Sequence, residues 1–163
     1  MKHIGIVSDT HGIVAPGILD FMAGMDEIWH AGDIGDAQVI HQLMKINRIR
    51  AVYGNIDGQD MRIKYPEIQC FTIEDVKVLM THIGGYPGRY IPGVRQLIEK
   101  EKPKLFICGH SHILKVIYDP VYDLLHINPG AAGKYGIHKS ITAIRLVIEG
   151  NTMRDLEVKD IPR

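Results

Sequence analysis

The chain has 163 residues, of which 45% are hydrophobic, and its 19 basic residues balance 19 acidic ones. This length suits a single domain, residues 1–163, and the neutral charge argues against an extended nucleic-acid surface or electrostatic attachment to an anionic membrane. No apolar stretch approaches the roughly 20 residues needed to span a bilayer, and the N-terminal apolar run is too short for a signal peptide.

Both cysteines, Cys70 and Cys108, lie inside apolar runs that are typical of strands. We expect each to be a buried, reduced thiol, because a free cysteine in such a run behaves as a small hydrophobic side chain. This pattern favours the cytoplasm as the protein's compartment, and we expect the fold to begin at residue 1.

Short β-rich runs alternate with amphipathic segments in the first third of the chain. Strands are predicted at His3–Ser8, Glu27–Asp33 and Ile49–Asn55, and helices at Pro16–Ala23 and Ala37–Ile46. This alternation is typical of parallel strands joined by right-handed crossovers. The sequence therefore predicts an α/β fold.

The second half is richer in strands. It contains a predicted hairpin that turns at Glu74 and Asp75, a helix over Val94–Lys100, and a last hairpin that turns at Gly150 and Asn151. The remaining strands are predicted at Leu105–His110, Leu114–Tyr118, Leu124–Asn128 and Ile141–Val158. A sheet that begins parallel and ends antiparallel could fold over into two stacked sheets with helices outside.

Polar side chains stand at the ends of five predicted strands. They are Asp9, His11, Asp33, Asn55, His82, His110 and His112. Because ligands of open α/β sheets bind outside the carboxyl ends of the strands, these side chains should converge. The two-residue spacing of Asp9 and His11, and of His110 and His112, predicts that both members of each pair project to one side of an extended chain.

This set of donors suits two metal ions better than one. A divalent cation takes about four to six donors, and seven protein donors with water can hold two cations roughly 3.5–4 Å apart. Nitrogen and oxygen donors without a thiolate favour manganese, iron, nickel, cobalt or zinc over calcium. We expect two divalent cations, with manganese first among the candidates.

The segments DTH, GDIGD, GNID, TH and GHSH, between Ile4 and Gly130, resemble the calcineurin-like metallophosphoesterase superfamily. The chain length and the GNID form are most similar to its small YfcE-type phosphodiesterase branch. The resemblance implies a four-layer αββα sandwich of two mixed β-sheets flanked by helices. It also implies three groups of ligands: Asp9, His11 and His112 on one metal, Asn55, His82 and His110 on the other, and Asp33 as the bridge between them.

The resemblance further implies hydrolysis of phosphoesters. A hydroxide bridging two cations would attack phosphorus, with Asp33, Asn55 and His82 as catalytic residues as well as ligands. Many members carry GNHD or GNHE, whereas this chain has Ile56 at the histidine position, and isoleucine cannot protonate a leaving group. The small branch also lacks that histidine, which favours phosphodiesters with good leaving groups, and phosphomonoester hydrolysis is the alternative.

Two further polar residues are candidates for supporting the ligands. We expect Asp57 to orient His11 or another ligand as a hydrogen-bond acceptor rather than to bind metal. His30 could either support the bridging Asp33 or simply pack within its strand.

Two loops have open interpretations. The segment around Asn128 and Gly130 could be an ordinary turn, or it could place Asn128 against a substrate phosphate. The glycine-rich loop Ile83–Gly93 could be a lid whose Arg89 and Tyr86 contact the substrate, or a structural loop.

A small phosphodiester is the expected partner. Two other classes of function are also compatible with the sequence. One is a non-catalytic interaction scaffold on the same fold, as the small retromer subunit is, and the other is a regulatory metal-binding protein without turnover. The C-terminal hairpin also has an edge at which a homo-oligomer could form.

Overall fold

The computed structural model describes residues 1–163 and contains ten strands and four helices. The strands are β1 Lys2–Val7, β2 Glu27–His30, β3 Arg48–Ala51, β4 Ile68–Ile73, β5 Val76–Thr81, β6 Leu105–Ile107, β7 Leu114–Asp119, β8 Leu124–Pro129, β9 Ser140–Glu149 and β10 Thr152–Pro162. The helices are α1 Pro16–Met22, α2 Ala37–Met44, α3 Gln59–Lys64 and α4 Pro92–Glu101. None of the helices has the length and apolar character needed to cross a membrane.

The strands form two mixed five-stranded sheets. The first has the order β10-β9-β1-β2-β3 and the second β4-β5-β6-β8-β7. Strands β1, β2 and β3 are parallel, as are β5, β6 and β8, while β9, β10, β4 and β7 run antiparallel to their neighbours. The predicted α/β class with two mixed sheets is confirmed.

The sheets stack face to face, and helices cover both outer faces. The middle layer joins Ile4, Ile6 and Trp29 of the first sheet to Met80 and Ile107 of the second. Apolar residues of α1, α2 and α3 pack on the outer face of the first sheet, and α4 packs on the second through Val94 and Ile98. The molecule is therefore a four-layer αββα sandwich.

Long-range pairing decides features that local patterns missed. Strands β9 and β10 return to the first sheet beside β1, so both sheets contain strands from the second half of the chain. Helix α3 was not predicted, because its six residues bury only Met61 and so lack a readable period. The predicted burial of Cys70 is wrong, since it lies exposed on edge strand β4, whereas Cys108 is buried as expected.

Candidate metal centre

The predicted ligands lie in loops that follow the strands. Strand β1 ends at Val7 and β6 at Ile107, so Asp9, His11, His110 and His112 stand beyond the pleated chain. Nine non-glycine residues have left-handed backbone, and five belong to this set: Asp9, His11, Asp33, His110 and His112, with φ from 47° to 72°. The explanation from an extended chain is therefore wrong. Left-handed backbone is uncommon outside glycine, and such residues cluster at functional sites.

Close approach between the loops brings the ligands together. A Cβ on Gly54 would lie 2.1 Å from Oδ1 of Asp33, so the third loop meets the second only because residue 54 has no side chain. The loop after β1 is tied to the loop after β2 by backbone bonds, among them the amide of His11 donating to the carbonyl of Asp33.

Asp9, His11 and His112 form the first group of donors, whose ligand atoms all lie within 4.8 Å of one another. The carboxylate of Asp9 is fully buried, and its Oδ2 accepts from the Ser8 hydroxyl at 2.6 Å and the His110 amide at 3.0 Å. Its Oδ1 is left facing Nε2 of His112 at 3.2 Å and Nε2 of His11 at 3.8 Å.

Asp33, His82 and His110 form the second group, and Asn55 lies beside His110. The amide oxygen of Asn55 lies 3.0 Å from Nδ1 of His110. Oδ1 of Asp33 accepts from the Ile56 amide at 3.1 Å, which turns Oδ2 towards Nε2 of His82 at 3.2 Å. The same Oδ2 lies 3.5 Å from Nε2 of His11, so Asp33 stands between the two groups.

Three unpaired buried atoms indicate that these residues fit a metal centre. Oδ1 of Asp9, Nε2 of His11 and Nε2 of His82 are buried without any hydrogen-bond partner. Leaving such atoms unpaired is costly unless a ligand satisfies them. Metal bonds of about 2.0–2.2 Å place neighbouring donors about 3–3.5 Å apart, close to the separations around Asp33 and Asp9.

His82 is held with one ring nitrogen free to bind a metal ion. Its Nδ1 lies 2.8 Å from the carbonyl oxygen of Ala31, which can only accept a hydrogen bond. Nδ1 therefore carries the proton, and Nε2 presents a lone pair to the centre.

The electrostatics of the centre favour positive charge. Burial opposes ionisation of Asp9, but the imidazoles of His11 and His112 outweigh it and hold the pKa of that carboxyl well below its usual range. The facing Asp9 raises the pKa of His11 above its ordinary value. Burial lowers the pKa of His82, but Asp33 more than offsets this and raises it. A divalent cation supplies the positive charge that these carboxylates favour.

Asp57 and His30 form hydrogen bonds within the loops and not with the side chains of the predicted ligands. The buried carboxylate of Asp57 accepts from the backbone amides of Ile34, Gly35 and Gly54, at 2.8–3.1 Å, and no hydrogen bond joins it to His11. These amides flank Asp33 and Asn55. His30 is fully buried, and its Nε2 lies 3.0 Å from the hydroxyl of Thr10. Since that hydroxyl donates to the carbonyl of Ile34, it accepts from His30.

Asn128 is fully buried, and its side chain is occupied by the protein. It donates to the carbonyl of Gly109 at 2.9 Å and to the hydroxyl of Ser111 at 3.1 Å, and it accepts from the Gly130 amide at 3.0 Å. Both donor hydrogens and the acceptor oxygen of this side chain are thus engaged within the protein. Asn128 instead holds the loop that carries His110 and His112.

The loop Ile83–Gly93 packs on the second sheet. Tyr90 donates to Asp119 at 2.8 Å and packs edge-on against Phe106. The hydroxyl of Tyr86 donates to Ser111 in the ligand-bearing loop. Arg89 is exposed, and its side chain forms no hydrogen bond or ion pair. These contacts favour a structural loop for the segment around Tyr86 and Tyr90.

Sequence reasoning missed Ser8 and His138. Ser8 directly precedes Asp9, and its hydroxyl fixes which carboxylate oxygen faces the centre. His138 lies 26 residues after His112, yet the two Nδ1 atoms are 3.1 Å apart. Nothing in the local spacing relates His138 to a ligand.

Comparison with known proteins defines the family. The model of the calcineurin-like phosphoesterase superfamily domain matches residues 1–151. The chain therefore belongs to that superfamily. A probable metallophosphoesterase of Methanocaldococcus jannaschii is 28% identical over 134 residues, which are 78% of this chain and 67% of the relative.

Solved structures share the fold. Vps29 of Chaetomium thermophilum superposes with a TM-score of 0.77 at 15% identity, covering 99% of this chain and 97% of that one. Vps29 of Entamoeba histolytica complexed with zinc gives a TM-score of 0.76 at 14% identity, with 98% of each chain covered. Likeness at this identity shows the four-layer fold alone.

Proposed function

We propose that this protein is a metal-dependent phosphodiesterase that hydrolyses small phosphodiesters at a binuclear centre. The observation that carries the proposal is the set of unpaired buried atoms on Asp9, His11 and His82, with Asp33 placed between the two groups of donors. Family membership supports a hydrolase of phosphoesters. The Cys108 thiol, buried and unbridged, accords with the cytoplasm as its compartment.

The residues divide into two ligand sets with a bridge. Asp9, His11 and His112 would hold one cation, Asn55, His82 and His110 the other, and Asp33 both. Two bound divalent cations supply an activated water near neutral pH and neutralise charge on the phosphoryl oxygens. Asp57 and Asn128 keep the ligand-bearing loops in place, so the donors are arranged before a metal or substrate arrives.

The isoleucine at position 56 favours a phosphodiester with a good leaving group as the substrate. Its amide binds Asp33, which places the residue beside the centre, and its apolar side chain is 47% exposed. This side chain cannot donate a proton, so a leaving group that is stable as an anion reacts best. A cleft of about 180 Å³ opens beside Asn55 and His82, and its size suits a small substituent rather than a polymer.

The test is hydrolysis of an aryl phosphodiester and the matching monoester by metal-stripped protein, before and after manganese is added. We expect diester cleavage only with metal, and a loss of more than about a hundredfold in Asp33→Asn, because that change removes the bridge. Asp20→Asn, an exposed carboxylate on α1, is the matched control and should keep full activity.

Full activity in Asp33→Asn would contradict the binuclear centre. The protein could also bind manganese, nickel, iron, cobalt or zinc stoichiometrically and yet hydrolyse neither ester. That result would contradict the proposed enzymatic activity. That result would favour the scaffold or the regulatory metal-binding protein, both of which the shared fold allows.

A further inference from the structure

We infer that His138 is a positioning residue that prepares His112 as a metal ligand, through a chain of hydrogen bonds ending at the carbonyl oxygen of Gly133. The inference rests on the metal centre of the proposed function but does not depend on its substrate. His138 lies in the connection between β8 and β9, outside the five sequence segments that carry the ligands.

The chain consists of two contacts in series. Nδ1 of His112 lies 3.1 Å from Nδ1 of His138, and Nε2 of His138 lies 2.8 Å from the carbonyl oxygen of Gly133. The two rings meet edge to face, with centroids 4.9 Å apart and planes at 72°. On its other side, Nε2 of His112 faces Oδ1 of Asp9 at 3.2 Å.

The carbonyl sets the direction of both hydrogen bonds. Gly133 can only accept, so Nε2 of His138 carries the proton and Nδ1 of a neutral His138 is a lone-pair acceptor. His112 must then donate from its own Nδ1, which leaves a lone pair on Nε2. That atom points at the buried carboxylate of Asp9, where the cation belongs.

His112 is thus prepared in the same way as His82, but through an intermediate ring. His82 donates directly to the carbonyl of Ala31. The partner of Nδ1 in His112 is His138 rather than a backbone carbonyl. A ligating histidine whose second nitrogen donates is held in orientation and is a more basic ligand.

The surrounding backbone is shaped around this pair of rings. Gly136 has φ of 130°, and a Cβ there would lie 2.4 Å from Nδ1 of His112 and 2.8 Å from Nδ1 of His138. Arg163 donates to the carbonyl of Gly136 and, at 3.0 Å, to that of His138. The loop that carries His138 is therefore tied at several points and is not a free surface segment.

The experiment is calorimetric titration of metal-stripped full-length protein with Mn²⁺ alone, in the absence of substrate. His138→Ala should weaken one of the two binding events by about 10- to 100-fold, with the other unchanged within threefold. His138→Asn keeps an acceptor oxygen near the position of Nδ1 and should recover much of the loss. Ile137→Ala, a fully exposed neighbour in the same loop, is the matched control and should bind as the wild type does.

A double-mutant cycle separates this role from a general effect on folding. In a His112→Ala background, His138→Ala should have no further effect on Mn²⁺ affinity, because the residue acts through His112. The absorption spectrum of bound Co²⁺ should change in His138→Ala and return towards the wild-type form in His138→Asn.

Equal Mn²⁺ affinities in wild type and His138→Ala would overturn the inference, as would additive losses in the cycle. Equal weakening of both sites with no rescue by asparagine would also overturn it, since it would show only a structural role. Lack of esterase activity in a wild type that binds two ions would overturn the proposed function and leave this inference to be judged on binding alone.

Discussion

Side chains that are not predicted ligands determine where the ligands stand. Asp57 receives three backbone amides from the loops after β2 and β3, and Asn128 spans Gly109 and Ser111 in the loop after β6. The bonds from Asp57 to the loop after β2, and those from Asn128 to the loop after β6, join segments distant in sequence. A centre assembled from five loops depends on such ties, because no single loop fixes the position of its own ligand relative to the others.

Ile56 is the residue whose replacement tests the choice between diester and monoester. Ile56→His would add a proton donor beside Asp33, so we expect monoester hydrolysis to rise about 10-fold or more relative to diester hydrolysis. The measurement is the ratio of kcat/KM for the two aryl esters with manganese.

Ile56→Leu is the control for Ile56→His, since it changes shape without adding a donor, and its ratio should match the wild type. A histidine variant with the wild-type ratio would show that leaving-group protonation does not limit the monoester reaction.

The strands stop earlier than the sequence pattern indicates, and the reason lies in the loops. Strand β2 ends at His30 rather than at Asp33, and β3 ends at Ala51 rather than at Asn55. Beyond the end of β2 the backbone turns left-handed at Gly32 and Asp33, and the carboxylate of Asp33 faces the centre. Strand propensity predicts the apolar run, but it does not predict the turn that follows the run.

Outside the metal centre, a residue with left-handed backbone affects the stability of the fold. Lys102 ends α4 with φ of 50° and ψ of 56°, and its exposed side chain forms no hydrogen bond or ion pair. We expect Lys102→Gly to raise the free energy of unfolding by about 0.5–1 kcal/mol, because glycine adopts this conformation without strain. Denaturant unfolding of the metal-stripped protein measures the change.

Lys100→Gly, inside the last turn of α4, is the opposite control and should lower the free energy of unfolding by about 1 kcal/mol. A destabilised Lys102→Gly would mean that the helix end gains more from the lysine than its backbone strain costs.

The packing of the whole molecule buries histidines far from the surface. His126 lies in β8, fully buried and stacked on Phe106, and its Nδ1 has no partner. Burial lowers the pKa of His126 to about 4 and that of His30 also to about 4. Both are neutral in the folded protein at neutral pH, whereas in the unfolded chain they take up protons below about pH 6.5.

The stability of the metal-stripped protein should therefore depend on pH. The unfolded state binds more protons between the unfolded pKa of about 6.5 and the folded pKa, so the free energy of unfolding falls as pH is lowered from 6.5 to 4. We expect His126→Phe to remove up to about 3 kcal/mol of this fall, leaving the part due to His30.

Denaturant unfolding of wild type and His126→Phe at pH 7, 5.5 and 4 checks the sign and the window. His41→Phe, at an exposed position on α2, is the control and should keep the wild-type dependence. Parallel pH curves for wild type and His126→Phe would show that His126 is protonated without cost in the folded state.

The α/β class, the parallel first third, both hairpins and the seven candidate ligands could all be predicted from the sequence. These features depend on local periods and on the chemistry of residues at strand ends, which can be read without knowing what packs against what. Three further features became visible only in the folded chain: β9 and β10 lie beside β1, Asp57 and Asn128 bind backbone groups of neighbouring loops, and His138 contacts His112. Those contacts join residues far apart in the chain, and their geometry comes from the stacking of two sheets, which no local pattern records.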